Sequence, residues 1–256
     1  MNDPLVTVAV PSLNQGRFLG DALESIFSQG LPVEAVVLDA GSTDESLSVI
    51  EQWAPHLLWW RSAPDAGQSA AINEGIARGN APYVCWLNAD DVFLPGGLAA
   101  LVSALEASVK TPAVYGRCWT VNESGKRLFP YLTMPFWPGL FASFCFVAQP
   151  ATLVRRSAWE SVRGLDERLH MAMDYDLWWR LYRTGGRLMY LRRFVAATRM
   201  HADTKTAQRR TSHYREAMNV VRRHTGKIPL KWRLARPFMV GLRSRYGRGR
   251  KTPSST

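Results

Sequence analysis

Short apolar runs alternate with amphipathic stretches over the first hundred residues. Residues 6–10 and 33–38 are β-branched runs that end in turn residues, which is typical of buried parallel strands. Between them, apolar side chains recur at helical spacing over residues 18–27, and Gly30-Leu31-Pro32 ends that helix. The pattern predicts a strand, a helix and a second strand that together form one unit.

The alternation continues to about residue 105 and then becomes irregular. It predicts an α/β fold with a doubly wound, mainly parallel sheet flanked by helices. In the first part we expect helices over 46–53 and 69–78, strands over 57–61 and 83–87, and a helix opened by Pro95-Gly96-Gly97. In the second part we expect strands over 113–115 and 187–191, a short segment over 151–154, and helices over 175–183 and 213–224.

The composition indicates a folded enzyme. With 256 residues, of which 46% are hydrophobic, the chain can bury the core of one large domain. Cys85, Cys118 and Cys145 lack the spacing of metal ligands and fit a reducing compartment. The first eleven residues lack the basic start of a secretory signal, so we expect a cytoplasmic protein.

Positive charge is concentrated in the last quarter of the chain. From Arg199 onward, 16 Lys and Arg stand against Asp203 and Glu216, a net charge of +14, whereas residues 1–198 carry −3. Residues 228–243 mix Trp, Phe, Leu and Met with Arg and Lys, which suits the surface of an anionic membrane. A solvated basic face is the open alternative, and no motif for specific nucleic-acid recognition is present.

Residues 128–154 carry no charged side chain, which raises the question of a membrane span. Prolines at positions 130, 135, 138 and 150 interrupt the stretch too often for a regular helix in hydrocarbon. We interpret it as a semi-buried loop whose aromatic side chains pack in the core or contact an apolar partner.

Polar residues follow four of the predicted strands, at Asn14 and within 39–44, 65–68 and 88–91. The carboxyl ends of neighbouring parallel strands are where an open α/β sheet binds its ligand. In the last of these loops, Asp90 and Asp91 can hold a hard divalent cation together with phosphate oxygens. Taken alone, two adjacent aspartates are more often a polar turn.

Four segments in consistent order resemble the family 2 glycosyltransferases: VPSLN (10–14), LDAGSTD (38–44), DAGQSAAINEG (65–75) and WLNADD (86–91). The likeness continues through QPAT (149–152), GLDE (164–167) and MDYDLWWRL (173–181) to His201. It implies a GT-A fold, a UDP-, GDP- or dTDP-sugar donor, and Mn²⁺ or Mg²⁺.

The resemblance also implies roles for residues of the donor side. Pro11, Ser12 and Asn14 match the loop beneath the nucleotide, and Asp39 matches the acidic residue that contacts the base. Ala40 stands where a second aspartate is commoner. Asp44 is interpreted as a helix cap.

Further donor contacts are expected from the third segment. Asp65 and Asn73 can hydrogen-bond sugar hydroxyls, beside a glycine at position 67 that permits close backbone approach. A junction between a loop and a helix would look similar without any ligand.

By the same resemblance, Asp90 is the metal-binding aspartate and Asp91 a second polar contact. Asn88 occupies a position where many relatives have aspartate, so one negative charge is missing and metal affinity is expected to be weaker. His201 matches a late histidine that relatives bring to the metal or the diphosphate, although a lone histidine is more often structural.

Asp174 matches the base that deprotonates the acceptor hydroxyl. An N-cap for the following helix is its structural alternative. Asp176 stands four residues before Arg180, and we expect these two to form an ion pair.

The sequence therefore predicts a metal-dependent, inverting glycosyltransferase that transfers a sugar to a glycan or lipid-linked acceptor. We expect a catalytic domain over 1–205, with a nucleotide-binding half (1–110) and an acceptor half (111–205). A basic extension over 206–256 is expected to end in a disordered, Gly- and Arg-rich segment from Tyr246. A nucleotidyltransferase and a non-catalytic binding module are the alternatives.

Overall fold

The computed structural model describes residues 3–201, 204 and 209–232. Within them, the first part of the sheet is parallel, as the alternation predicted. Buried β-branched side chains fill its central strands because helices cover both faces. Its strands are β1 (Val6–Ser12), β2 (Val33–Asp39), β3 (Trp59–Ser62) and β4 (Tyr83–Trp86).

The remaining strands extend the same sheet, so residues of both predicted halves share it. They are β5 (Val92–Phe93), β6 (Ala113–Val121), β7 (Arg127–Pro130), β8 (Thr152–Arg155) and β9 (Met189–Arg199). The order is β3-β2-β1-β4-β8-β6-β9-β5, with β7 paired to β6. Because β8 is antiparallel to both β4 and β6, β6 runs in the same direction as β4.

Helices pack on both faces of the sheet, and each face has its own core. Leu23, Ile50 and Leu101 lie in one core, whereas Ile72 and Trp178 lie in the other. The first face carries α1 (Gly16–Phe27), α2 (Ser46–Trp53) and α4 (Gly97–Glu106). The second carries α3 (Gln68–Arg78), α5 (Pro138–Phe141), α6 (Arg156–Ser161), α7 (Met173–Gly185) and α8 (Arg210–Thr225).

Gly75 lets α3 lie close to the sheet. A Cβ at this position would lie 2.7 Å from Leu38 Cδ2 and 2.8 Å from Ala9 Cβ. Any larger residue would push α3 away from β1 and β2, and the N-terminus of α3 would move with it.

The strands β6 and β9 are longer than their apolar patterns predict. Gly116 interrupts β6, and a Cβ there would lie 2.6 Å from Val195 Cγ2 of the neighbouring strand. Arg192 and Arg193 interrupt β9 where the register between these strands shifts. Pairing between strands, which a single-strand pattern does not contain, carries both elements across the interruption.

The apolar stretch 128–154 divides between the core and the surface. Phe136, Phe141 and Phe146 are buried, whereas Trp137 and Leu140 are exposed. Among the described residues, no helix combines the length and the hydropathy that crossing a membrane requires. The predicted disordered end and most of 228–243 lie outside the described residues.

Candidate functional site

The four predicted polar loops meet at one edge of the sheet. Ser12 pairs with Asp39, and Asp39 pairs with Ser62, so β1, β2 and β3 end side by side. The strand β4 is parallel to β1 and ends at Trp86, two residues before Asn88. All four loops therefore lie at the carboxyl edge, where such sheets bind ligands.

The loops after β1 and β2 hold each other. Asn14, at φ +52°, donates its backbone N–H to Ser42 Oγ over 2.7 Å, and its Oδ1 accepts from the Thr43 N–H at 2.9 Å. Asp44 accepts from the N–H groups of Gly16 and Ser46, which are the first residues of α1 and α2, at 3.0 Å each. The capping role predicted for Asp44 thus serves two helices.

Asp39 is buried, and its carboxylate organises the loop. It accepts from the N–H groups of Gly41 and Ser42 at 3.1 and 2.8 Å. The hydroxyls of Ser42 and Ser62 also donate to it, at 2.5 and 2.7 Å. Only one of these bonds ends on Oδ1, and the contact of Asp39 with a nucleotide base stays a prediction.

Ser12 and Pro11 end β1 beside this loop. Ser12 is buried, and its hydroxyl has no hydrogen-bond partner among the described residues. A buried hydroxyl without a partner costs free energy, so this position is suited to a polar group from a ligand.

Asp90 and His201 are brought together from positions 111 residues apart. His201 Nε2 lies 2.9 Å from Asp90 Oδ2, and the Arg17 guanidinium lies 3.4 Å from His201 Nδ1. Phe18 of α1 packs against the imidazole, with ring centroids 5.0 Å apart. The fold thus brings together the two residues whose metal-binding role stays a prediction.

The 2.9 Å separation of this pair is that of a hydrogen bond, and it also equals the spacing of two neighbouring ligands on a metal ion. Two adjacent ligands of an octahedral ion with bonds of 2.0–2.1 Å are about 2.9 Å apart. A set of ligands with one oxygen and one nitrogen suits a first-row divalent ion such as Mn²⁺ better than Mg²⁺, which prefers oxygen ligands. No group of three or more His, Cys, Asp or Glu that could hold a metal occurs among residues 3–201, 204 and 209–232. Remaining ligands would have to come from water and phosphate.

Asn88 connects three neighbours through its amide. Its Nδ2 donates to Asp91 Oδ2 at 3.0 Å and to Gln149 Oε1 at 3.2 Å. Its Oδ1 accepts from Gln68 Nε2 at 2.9 Å. A carboxylate at position 88 could not donate to Asp91, so the local structure favours the amide that replaces the commoner aspartate. Gln68 and Gln149 were not among the predicted site residues.

Asp91 lies beneath the edge and faces β9. It is 3% exposed and accepts from the Arg199 N–H at 3.1 Å. Burial, with the nearby charge of Asp90, raises the pKa of Asp91 to about 7. Because its partners are protein groups, the structure favours a role for Asp91 in positioning the loop of Asp90. Its contact with the nucleotide-sugar donor stays a prediction.

Asp65 and Asn73 stand on either side of the start of α3. Asp65 Oδ1 accepts from the Gly67 N–H at 2.8 Å, which shapes the loop before the helix. Asn73 binds the chain at Leu165, donating to its carbonyl at 3.0 Å and accepting from its N–H at 2.8 Å. It also donates to Glu167 at 2.9 Å. The structure therefore uses the Asn73 amide to tie α3 to this segment and does not bring it to Asp90.

The N-terminus of α3 links Asn88 to the helix that carries Asp174. Gln68, the first residue of α3, contacts Asn88, and the next residue, Ser69, donates to the Leu169 carbonyl at 2.8 Å. Leu169 lies four residues before α7, and Asp174 is in the first turn of that helix. Two hydrogen bonds thus tie α3 both to the loop of Asn88 and to the segment that leads into the helix of Asp174.

Glu216 of α8 clamps the start of α7, and no sequence motif predicted it. One carboxylate oxygen accepts from the N–H groups of His170, Met171 and Ala172 at 3.1, 2.8 and 3.2 Å. Ala172 precedes the first residue of α7, so Glu216 satisfies N–H groups that have no partner within the helix. Its negative charge also stabilises the positive end of the helix dipole.

The carboxyl group of Asp174 is partly buried. Burial raises its pKa, while the Tyr175 N–H, which donates to Oδ1 at 2.7 Å, and the charge of His213 oppose that shift. A base with a raised pKa accepts a proton more readily near neutral pH. Asp174 is not the N-cap of α7, because that position belongs to Ala172.

Asp176 has the ion pair expected for it. Arg180 Nε lies 2.7 Å from Oδ2, and His224 Nε2 of α8 lies 2.8 Å from Oδ1. Burial opposes ionisation, but hydrogen bonds from His224 and Arg180 outweigh it and lower the pKa of Asp176. This ion pair network fixes α8 against α7, beside the clamp at Glu216.

Comparisons with known proteins agree with this geometry. The model of a family described as glycosyl transferase family 2 matches residues 7–162, more than half of the chain. An uncharacterized glycosyltransferase of Rickettsia prowazekii is 25% identical over 224 residues, which cover 83% of this chain and 70% of the relative. A chondroitin synthase of Escherichia coli is 22% identical over 185 residues, which cover 71% of this chain and 27% of the relative. This chain thus spans only about a quarter of that synthase.

Solved structures share the fold. S. aureus TarS in complex with UDP-GlcNAc superimposes with a TM-score of 0.69 at 16% identity, covering 86% of this chain and 66% of TarS. The mannosyltransferase PcManGT of Pyrobaculum calidifontis, in complex with GDP-Man and Mn²⁺, has a TM-score of 0.62 at 19% identity. That match covers 95% of this chain and 70% of the mannosyltransferase. At these identities the likeness establishes the architecture.

Proposed function

Because this chain belongs to glycosyl transferase family 2, we propose that it transfers one sugar from a nucleotide diphosphate donor to a hydroxyl of a glycan or lipid-linked acceptor. The observation that carries the proposal is the convergence at one sheet edge. Asp90 and His201 meet at 2.9 Å, and α3 connects their loop to the helix of Asp174. These links support a transfer reaction in which the diphosphate site and the base are neighbours.

The donor side is proposed to use the ends of β1 and β2. The partnerless hydroxyl of Ser12 and the ordered loop at Asn14 and Asp39 support a nucleotide bound there. Asp65 is proposed to bind hydroxyls of the donor sugar, and it also shapes the loop before α3. TarS and PcManGT are named as complexes with UDP-GlcNAc and GDP-Man, which supports a nucleotide-sugar donor.

A divalent ion, Mn²⁺ or Mg²⁺, is proposed to be held by Asp90 and His201. Such an ion neutralises the charge that develops on a diphosphate leaving group. The residues fit it through one carboxylate oxygen and one imidazole nitrogen in adjacent positions. Asn88 and Asp91 hold the loop that carries Asp90.

Asp174 is proposed to be the general base. A sugar hydroxyl is weakly acidic, so a carboxylate within hydrogen-bonding reach assists as the new bond forms. Attack from the face opposite the departing nucleotide inverts the anomeric carbon, and the single base at the start of α7 suits that course. Glu216 and the N–H groups of residues 170–172 fix the position of this base.

The acceptor is proposed from the relatives. The chondroitin synthase of E. coli and the hyaluronan synthase of Pasteurella multocida, which is 22% identical over 80% of this chain, are named for polysaccharides. A growing polysaccharide or its lipid-linked precursor is therefore the acceptor class to test first.

The test measures nucleotide release from UDP-, GDP- and dTDP-sugars with and without Mn²⁺, using Asp90→Ala, Asp174→Asn and a matched control. Asp3→Asn removes an exposed carboxylate just before the amino end of β1 and is the control. We expect metal-dependent release that Asp174→Asn lowers about 100-fold or more. Wild-type release in Asp174→Asn would remove it as the base, and absence of nucleotide-sugar binding would refute the function.

A further inference from the structure

The hairpin formed by β6 and β7 exposes a run of apolar side chains beside α5. We call this surface the hairpin patch. Leu128, Phe129 and Leu132 are 44, 52 and 61% exposed, and Trp137 and Leu140 are 68 and 37% exposed. Every residue from 123 to 132 is exposed, so both faces of β7 are free in this part of the structure.

Exposing so much apolar surface to water is unfavourable in free energy. Among the described residues, β7 pairs with β6 alone. Edge strands of this kind are usually protected by charge or by a covering element, and contiguous apolar patches mark contact surfaces. The exposure at the hairpin patch therefore calls for a partner.

The charge around the patch indicates an anionic partner. Lys126 and Arg127 flank it and are exposed; Glu123 of the same turn is exposed as well, and residues 124–159 contain no Asp or Glu. The Arg127 guanidinium lies over the Trp119 ring, 5.2 Å from its centroid. Apolar and aromatic side chains beside cations are typical of surfaces that enter the headgroup region of a membrane.

The basic end of the chain starts beside the same surface. Trp232 Nε1 donates to the Ala142 carbonyl at 2.8 Å, one residue after α5, and Lys231 lies over the Phe144 ring. Residues 233–256 follow directly and contain seven Lys and Arg and no Asp or Glu. The sequence that follows Trp232 therefore supplies further cations to a protein docked on an anionic surface.

We propose that the hairpin patch docks this protein on an anionic phospholipid surface. Coverage by the same patch of a second copy would place cations against cations. A bilayer with anionic headgroups instead offers both the apolar layer and the opposite charge. The inference goes beyond sugar transfer and is independent of it.

Docking in this way would set the candidate site close to the membrane. Arg199 donates to the Asp90 carbonyl at 3.2 Å and to the Glu123 carbonyl at 2.5 Å, so it joins the site to the hairpin turn. The strand β6 also ends at the same edge as β4. A substrate held in the headgroup region would then lie within reach of that edge.

The test is vesicle flotation of the full chain. The vesicles are made of phosphatidylcholine, alone or with phosphatidylglycerol. The docking variant carries Phe129→Ser, Leu132→Ser and Trp137→Ser, all at exposed positions outside the core. Its matched control carries Leu47→Ser, Leu58→Ser and Val109→Ser, which are exposed apolar positions elsewhere. A second variant, Lys126→Gln with Arg127→Gln, tests charge, and Lys110→Gln is its control.

We expect wild type to float with anionic vesicles and to bind neutral vesicles more weakly. The docking variant should lose about tenfold or more in partition coefficient, while its control stays within about twofold of wild type. The charge variant should weaken binding to anionic vesicles only. Release of nucleotide from soluble donor should be unchanged in every variant, so a failed transfer reaction is distinguishable from failed docking.

Three results would overturn the proposal. The first is that the docking variant floats with anionic vesicles as well as wild type does. A second is wild type that stays unbound and forms a dimer which the docking variant loses, because the patch would then be an interface between copies. A third is unbound wild type whose KM for a soluble glycan acceptor rises in the docking variant, because the patch would then hold the acceptor.

Discussion

Replacement of Glu216 tests whether α8 positions the proposed base. One of its oxygens accepts three N–H groups directly before α7, at 2.8–3.2 Å. Loss of a capping side chain costs roughly 0.5–2 kcal/mol, and hydrogen bonds to a charged group lie higher, at about 1.5–3 kcal/mol. For Glu216→Ala we therefore expect a loss of about 2 kcal/mol, which lowers Tm by about 4–8 °C in a chain of this size.

Glu216→Gln separates position from stability. The amide retains an acceptor oxygen but loses the charge that faces the helix dipole, which costs about 1 kcal/mol. We expect kcat to fall about fivefold because Asp174, two residues after Ala172, moves with the start of the helix. The KM for donor should stay constant, since Glu216 contacts none of the donor loops in the structure.

The assay is steady-state nucleotide release at saturating and limiting donor, with Tm measured on the same preparations. Glu160→Gln is the matched control, because Glu160 is exposed and its only charged neighbour among the described residues, Arg156, is 3.9 Å away. It should match wild type in both measurements. Wild-type kcat in Glu216→Gln, or an equal change in the KM for donor, would refute the positioning role.

Three further predictions concern charge. Asn88→Asp places a carboxylate against Asp91 and should lower Tm without metal by a few °C; an unchanged Tm in thermal unfolding would contradict this. The raised pKa of Asp174 means that the acid limb of kcat/KM, where the base gains its proton, should lie above pH ~4; a limb below that value would argue against this base. The lowered pKa of Asp176 means that its stabilisation is fully present above pH ~4 and is lost as pH falls further. In urea unfolding, Asp176→Asn should therefore lose about 3–5 kcal/mol at pH 7 and about 1 kcal/mol less than that at pH 3.

Local patterns were sufficient for the parallel part of the fold. The strand–helix alternation of the first hundred residues places each polar loop at a strand end, and parallel strands bring such ends to one edge. The ion pair of Asp176 with Arg180 followed from helical spacing, as did the capping by Asp44 from its place before a helix. These features depend on neighbours within a few residues, which the sequence contains.

Other features depend on pairing across the chain. The length of β9 and the position of Glu216 at the start of α7 each depend on a partner more than 40 residues away. A local pattern does not show that the Asn73 amide hydrogen-bonds to the backbone of Leu165. The contact of Asn73 with a sugar stays a prediction.

The sequence by itself determined the order of elements and the residue types at the sheet edge, because hydrophobic periodicity and turn chemistry are local. Only the tertiary structure decided which polar groups have protein partners and which face outward. Burial and hydrogen bonding follow from packing between distant segments. For that reason Asp91 lies beneath the edge while Asp90 meets His201.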